Sequence, residues 1–545
     1  MSNNNVQQDN TTVYQGFIVK EVQVPTPLGS ISRTYICISQ DEPMVKVLQD
    51  MTEIEELYNE EIMIQPQDLY PHLKSIQDKV NSGDFSLIDL TVYLNEFFKS
   101  KLDQLENMTK SNKINFNNLG SVFTIGTKFV GYVHNNQMVG SIVHSTRMVE
   151  TMGGRVFEIT GVCNMPVGNE LKQIHKNFYI DEFGGVRSMD DLEVRIMNAE
   201  DEAFLRQRGE TFAKYCQGAH YLEYQGNMCI NTGYGYQHFK ADGRIMVDSQ
   251  GFDRMMPSYL NNYKHHSNKI HGINETNNFM CWPYLYGFSF SSKRWGELYI
   301  DHLKPIKFDD NAFNYLVLNP EIKKMMKALI LNVKHSFKDI IGGKSGGCIF
   351  MLHGPPGVGK TLTCEAVAEL LHKPLYSVTV GELGTNVDTL ERKLNNILEI
   401  ANSWDAVILI DEADIFMEAR NKNDVERNGM VSIFLRLLER HQGVMFLTTN
   451  RNEDLDPAFK SRISIIIEYQ VLSQDARQQV WNNLLTAAAI KMTSEDIDKL
   501  SQYQINGRQI KNSIRMAQSL MLDKEYNKDN NSITVSEIEK ILKFM

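Results

Sequence analysis

Residues 354–361 read Gly354-Pro355-Pro356-Gly357-Val358-Gly359-Lys360-Thr361, which fills every position of the Walker A phosphate-loop pattern. The pattern has structural meaning only between a strand and a helix. Both are expected here: Ile349-Phe350-Met351-Leu352-His353 is an apolar run of strand length, and residues 360–372 carry apolar side chains at helical spacing. Glycines at such a turn let backbone N–H groups point inward around phosphate oxygens, at the positive end of the following helix. Gly354, Pro355, Pro356, Gly357, Val358, Gly359, Lys360, Thr361 and Leu362 are therefore expected to line a nucleotide, with Lys360 reaching the β and γ oxygens and Thr361 holding Mg²⁺.

Further strands are predicted over residues 374–380, 405–411, 443–449 and 463–469, each followed by a helix or a polar turn. Five short apolar runs alternating with helices define the α/β class, here a P-loop three-layer parallel sheet across residues 309–469. Beyond it only helical patterns remain, over 473–489, 494–502, 507–525 and 534–545, so residues 470–545 read as a helical lid. Ser473, Ser494 and Thr534 are the expected N-caps, with Glu537 completing a capping box.

Upstream, residues 1–14 are polar and read as a disordered tail. Residues 15–118 read as an α+β region, with strands at Phe17-Ile18-Val19 and Thr34-Tyr35-Ile36-Cys37-Ile38 and helices broken near Ser82-Gly83-Asp84. Residues 119–306 read as a mainly β domain, from runs such as Val122-Phe123-Thr124-Ile125, Val156-Phe157-Glu158-Ile159 and Arg244-Ile245-Met246-Val247-Asp248, with a helical insert over 190–215.

A chain of 545 residues implies two to four domains, and 56 Lys plus Arg against 67 Asp plus Glu gives −11, which offers no overall basic footprint for nucleic acid or an anionic membrane. The basic stretch Lys264-His265-His266-Ser267-Asn268-Lys269 is expected to be a solvated loop. The seven cysteines are scattered, without metal-finger spacing, and read as reduced core thiols. No apolar run approaches the ~20 residues of a membrane span, and the N-terminus has no signal-peptide pattern, so an intracellular, soluble protein is expected, in cytoplasm or nucleus.

About fifty residues beyond the phosphate loop, Ala406-Val407-Ile408-Leu409-Ile410 leads into Asp411-Glu412. Asp411 is expected to assist Mg²⁺ through its water shell, and Glu412 to orient and deprotonate the attacking water. The strand Met445-Phe446-Leu447-Thr448-Thr449 ends at Asn450, whose amide can hydrogen-bond that water or the γ-phosphate; a plain turn residue is the alternative.

In this order and spacing the residues resemble the AAA class of ATPases over residues 309–545. Arg462 falls at the arginine-finger position, Asn450 at sensor 1, and Arg508 of Asn506-Gly507-Arg508 at sensor 2. The resemblance implies ATP as the nucleotide and a homo-oligomeric ring, hexameric in the family, in which Arg462 reaches the neighbouring subunit's nucleotide and Arg508 reports the γ-phosphate from the lid. A guanidinium against a transferring phosphoryl group is worth ~10³ to 10⁵ in rate. The alternatives are a surface salt bridge for Arg462 and simple solvation for Arg508. Two positions depart from the family: Phe459 stands where many members carry a further arginine, leaving Arg462 helped by Arg427, and the loop Gly381-Glu382-Leu383-Gly384-Thr385-Asn386-Val387 has no aromatic grip, only Leu383.

A closer resemblance rests on His353 through Thr363, Trp404, Phe434-Leu435-Arg436, Leu447-Thr448-Thr449-Asn450-Arg451 and, upstream, Phe183-Gly184-Gly185, Arg208-Gly209, Trp295 and Asp310-Asn311-Ala312-Phe313. Over residues 110–545 these are similar to a poorly characterised AAA group of filamentous fungi and large DNA viruses, with an upstream domain of unknown function. The expected activity is Mg²⁺-dependent ATP hydrolysis that remodels a protein assembly. The rivals are a nucleotide-gated scaffold or assembly factor with slow hydrolysis and, against the acidic composition, a nucleic-acid-dependent ATPase.

Overall fold

The structure is a computed structural model. It describes residues 11–26, 29–52, 54–265, 267–332, 347–384, 386–417, 425–439, 441, 443–450, 457–522 and 533–545. The chain forms two compact units, Met1–Lys304 and Pro305–Met545.

Among the described residues the first unit holds two large cores and a smaller one around Val130, Leu205 and Phe279. A four-stranded antiparallel sheet of Thr11–Tyr14, Phe17–Thr26, Gly29–Ile38 and Ile62–Ile64 packs against helices through Phe17, Ile36, Leu48, Leu73 and Leu94. Thr11–Tyr14 lies inside the stretch expected as a tail: its β-prone residues pair antiparallel with Phe17–Lys20, while residues 1–10 of that expectation fall outside the described residues. The second core joins a six-stranded and a seven-stranded sheet. It begins earlier than the expected boundary at 118/119, because Lys113–Ile114 pairs with Arg187–Ser188 and Ile114 and Phe116 are buried in it.

One strand expectation fails here, and the expected helical insert starts later than its pattern suggested. Val122 ends a one-turn helix, Leu119–Val122, and Phe123 turns into the core instead of extending a strand, since four apolar residues do not by themselves distinguish the two states. The helical insert is Ala199–Tyr215, with Asn198 and Asp201 forming the capping box that starts it. The basic stretch is paired as well as solvated: Lys264 meets Asp253 at 2.7 Å and Lys269 meets Glu170 at 3.0 Å.

In the second unit five parallel strands lie in the spatial order Leu375–Thr379, Val407–Asp411, Val444–Thr449, Cys348–His353 and Ile465–Glu468. The chain therefore leaves the Cys348–His353 strand for the far edge and works back towards it. Reversal of that kind opens a crevice at the carboxyl ends of the strands. Phe350, Leu352, Val407, Leu409 and Phe446 are fully buried, and the Lys360–Leu371 helix packs on them through Cys364 and Val367. The α/β P-loop fold expected from the sequence is the fold observed.

The lid comprises Gln474–Ala487, Ser494–Ser501, Gly507–Met521 and Val535–Leu542, packed around Trp481, Leu500, Ile510 and Ile538, each 0% exposed. Its second helix is capped one residue earlier than expected, by Thr493, because Asp496 returns the bond to the Thr493 N–H at 3.1 Å. Trp481→Ala removes the largest side chain of this small core. It should cost ~3–5 kcal/mol of lid stability, read by denaturant titration as loss of the lid transition with the parallel-sheet transition retained.

Candidate functional site

The crevice is built by three strand ends. After His353 the backbone turns at Gly354, φ +146°, and again at Gly357, φ +78°, and Gly359, φ +103°, where the Lys360–Leu371 helix begins. A Cβ on Gly354 would stand 2.2 Å from Tyr469 O, and one on Gly357 would stand 2.6 Å from the Asn506 side chain. The first glycine is thus demanded by the neighbouring strand's continuation and the second by the lid. Gly507 N–H donates to Gly357 O at 2.9 Å, so the start of the Gly507–Met521 helix is bonded directly to the phosphate loop.

Lys360 is 8% exposed and lies across this loop. Its Nζ donates to Gly354 O, to Pro355 O at 3.0 Å and to Asn450 Oδ1 at 2.7 Å. Burial pushes its ammonium below the ordinary lysine value, opposed by the Asp411 and Asp414 carboxylates and reinforced by the Arg508 charge. Arg508 itself is exposed at the start of the lid helix. Thr361 is half-buried on the first helical turn, and Leu362 is 54% exposed, turned away from a buried position.

The carboxylate pair sits at the end of Val407–Asp411, beside the end of Val444–Thr449. Thr448 links the two: its Oγ1 donates to Asp411 Oδ1 and accepts from Glu412 N–H at 3.0 Å, while its carbonyl accepts from Ala413 N–H at 2.9 Å. Glu412 is held at φ +56°, a left-handed conformation costing ~1–2 kcal/mol in a non-glycine residue. Thr449 Oγ1 in turn donates to Asp414. Neither Thr448 nor Asp414 is marked by the motif reading, although two hydroxyls ending a buried strand and the third acid of Asp411-Glu412-Ala413-Asp414 are the sequence trace of this lattice.

Arg462 is elsewhere in its interactions. Its Nε donates to Glu439 Oε1 at 2.7 Å and its Nη1 to Ala458 O at 2.7 Å, so within one chain it makes the surface ion pair weighed as its alternative. Phe459, at the departing family position, is fully buried. In the loop after the second strand, Val380–Leu383 is a short helix and Leu383 is 0% exposed, which removes the one apolar contact expected there. Among the described residues of that loop, Gly381, Glu382 and Asn386 are exposed.

Residues 350–471 match the family described as ATPase family associated with various cellular activities (AAA), and residues 104–199 match a domain of unknown function, DUF7025. The chain is 28% identical over 204 residues to a proposed 26S proteasome regulatory subunit homolog of Methanothermobacter thermautotrophicus, covering 35% of this chain and 54% of that protein. It is 25% identical over 215 residues to spastin of Dictyostelium discoideum, covering 37% and 32%, and 29% identical over 189 residues to SUPPRESSOR OF K(+) TRANSPORT GROWTH DEFECT 1 of Arabidopsis thaliana, covering 33% and 43%. The chain thus spans about half or less of the lengths of these curated relatives. Over residues 350–471 the chain is thus similar to the AAA ATPase family. Among the described residues no helix is long and apolar enough to cross a membrane.

Thr448→Val keeps the shape of the buried strand end but leaves Asp411 and the Glu412 N–H without their shared partner. Unpaired groups of this kind cost ~1–3 kcal/mol. We expect nucleotide affinity near that of the parent chain and turnover lowered ~10- to 100-fold, checked by equilibrium binding and steady-state phosphate release.

Proposed function

We propose that the chain is a Mg²⁺-dependent ATPase whose subunits form a ring, and that it uses ATP binding and hydrolysis to remodel a protein assembly. The observation that carries this reading is the Lys360 ammonium, lying on a cradle of positive-φ glycines and bonded to Asn450 across the crevice. The residues present fit a nucleoside triphosphate: the cradle leaves no room for a Cβ at Gly354, Lys360 and Thr361 open the helix that follows it, and Asp411 and Asn450 stand at the ends of two neighbouring strands.

In this reading the loop N–H groups and Lys360 bind the polyphosphate. Lys360 exchanges neutral carbonyl and amide acceptors for anionic oxygens, which charge-assisted bonding favours. Thr361 and, through water, Asp411 would hold Mg²⁺, which when bound neutralises charge on the transferring phosphoryl group. Glu412, fixed through Thr448, orients the attacking water and takes its proton. Asn450, released from Lys360, turns its amide to the same water, and Arg508 brings the lid's charge to the crevice. Arg462 leaves Glu439 for the neighbouring subunit's nucleotide; as an exposed ion pair that contact is worth ~1 kcal/mol or less, so the exchange costs little.

The DUF7025 segment and the mainly β region around it would supply the partner surface, in keeping with the fungal and viral grouping suggested by the closer resemblance. A second reading, a nucleotide-gated scaffold with slow hydrolysis, is favoured by the burial of Leu383, which takes the apolar side chain expected to grip a threaded chain out of reach of one.

Glu412→Gln should bind ATP with the parent affinity and lose ~10²- to 10⁴-fold in turnover, whereas Lys360→Ala should lose binding itself. Equilibrium titration with a fluorescent ATP analogue and phosphate release separate the two. Undiminished hydrolysis by Glu412→Gln would remove Glu412 as the base.

A further inference from the structure

The first unit contains a cluster that takes no part in nucleotide chemistry. His134, Cys229 and Glu297 come from three separate elements and meet in the interior, with side chains 11%, 0% and 6% exposed respectively. Cys229 and Glu297 are direct cross-strand partners on Asn227–Asn231 and Arg294–Tyr299 of the seven-stranded sheet. His134 arrives from the six-stranded sheet, on the turn between Lys128–Val133 and Gln137–Thr151, where Asn135 and Asn136 both take positive φ. That turn is tied down by Tyr284, whose hydroxyl donates to His134 O at 2.6 Å.

We propose that His134, Cys229 and Glu297 form a site for a thiophilic divalent transition-metal ion, of which Zn²⁺ is the best fit. His134 Nε2 lies 2.7 Å from Glu297 Oε2 and 3.5 Å from Cys229 Sγ, and Cys229 Sγ lies 3.7 Å from Glu297 Oε2. Tetrahedral zinc, with bonds of ~2.3 Å to sulfur and ~2.0 Å to nitrogen and oxygen, sets those three edges at ~3.3, ~3.5 and ~3.5 Å. Two edges already match, and the third is a hydrogen bond that opens by ~0.6 Å when a cation replaces the shared proton.

The same distances argue against a nucleophilic triad. A base in such a triad uses one ring nitrogen for the nucleophile and the other for the orienting carboxylate. Here both the thiol and the carboxylate converge on Nε2, which is the arrangement around a single central point.

The surroundings are those of a built site. The His134 ring is stacked between Tyr236 and Tyr284, centroids 3.7 Å and 4.3 Å away, so its plane is fixed. Tyr259 donates to the other Glu297 oxygen at 2.9 Å and accepts from Asn231 N–H, the outer hydrogen bonding that orients a metal-ligating carboxylate. A soft thiolate beside an imidazole selects Zn²⁺ over Mg²⁺ or Ca²⁺. The fourth position falls to water.

The test uses the full chain in excess Mg²⁺, treated with chelator, reloaded with Zn²⁺ or Co²⁺ and desalted. The proposal expects about one tightly held equivalent per chain by elemental analysis, a sulfur-to-cobalt charge-transfer band in the near ultraviolet, and a higher Tm in the loaded than in the stripped chain. Cys229→Ser should abolish the band, and Glu297→Gln, which keeps the side-chain shape, should weaken retention at least tenfold. A folded parent chain that retains no Zn²⁺ and shows no thiolate band overturns the proposal, as does a band that survives Cys229→Ser.

Discussion

The second unit depends on one close approach, that of Gly354 to the carbonyl of Tyr469. The strand ending at His353 must turn within a space that no Cβ can enter, and the turn aims the following N–H groups and Lys360 into the crevice. Every other part of the site is placed relative to that turn. The lid touches it through Gly507 and Asn506, Asn450 reaches it through Lys360, and the carboxylates stand at the end of Val407–Asp411, one strand further along the sheet. A triphosphate binds where backbone donors are gathered in this way, and its charge complements both the helix start and the ammonium.

Much of this was legible in the sequence because it is local. A phosphate loop, a buried strand ending in two acids and alternating apolar runs are patterns of near neighbours, and they set the parallel sheet and the lid. The lateral contacts were not legible. Thr448 reads as an ordinary β-former, and its bonds to Asp411 and Glu412 exist only because Val444–Thr449 lies beside Val407–Asp411. Leu383 reads as a loop residue, yet a one-turn helix folds it into the core. Val122-Phe123-Thr124-Ile125 was too short an apolar run to separate helix from strand.

The metal-binding cluster shows the same limit. Its three side chains lie far apart in the chain, so no ligand spacing betrays them, and each alone reads as a core or turn residue. They meet because a hairpin turn of one sheet is pinned to the face of another, with Cys229 and Glu297 already in register. An ion at that place would join the two sheets of the region proposed to carry the partner surface.

In the proposed ring the active site is shared between subunits, with Glu412 acting in the chain that holds the nucleotide and Arg462 acting on its neighbour's. Mixing Arg462→Ala chains with Glu412→Gln chains tests it most directly. Neither should hydrolyse ATP alone, but in mixed rings an Arg462→Ala subunit keeps its own Glu412 and can receive Arg462 from a Glu412→Gln neighbour. Turnover should reappear at about one quarter of the parent value for random equimolar mixing, because one interface in four then has both groups. Co-assembled chains that remain inactive at every mixing ratio would contradict the shared site.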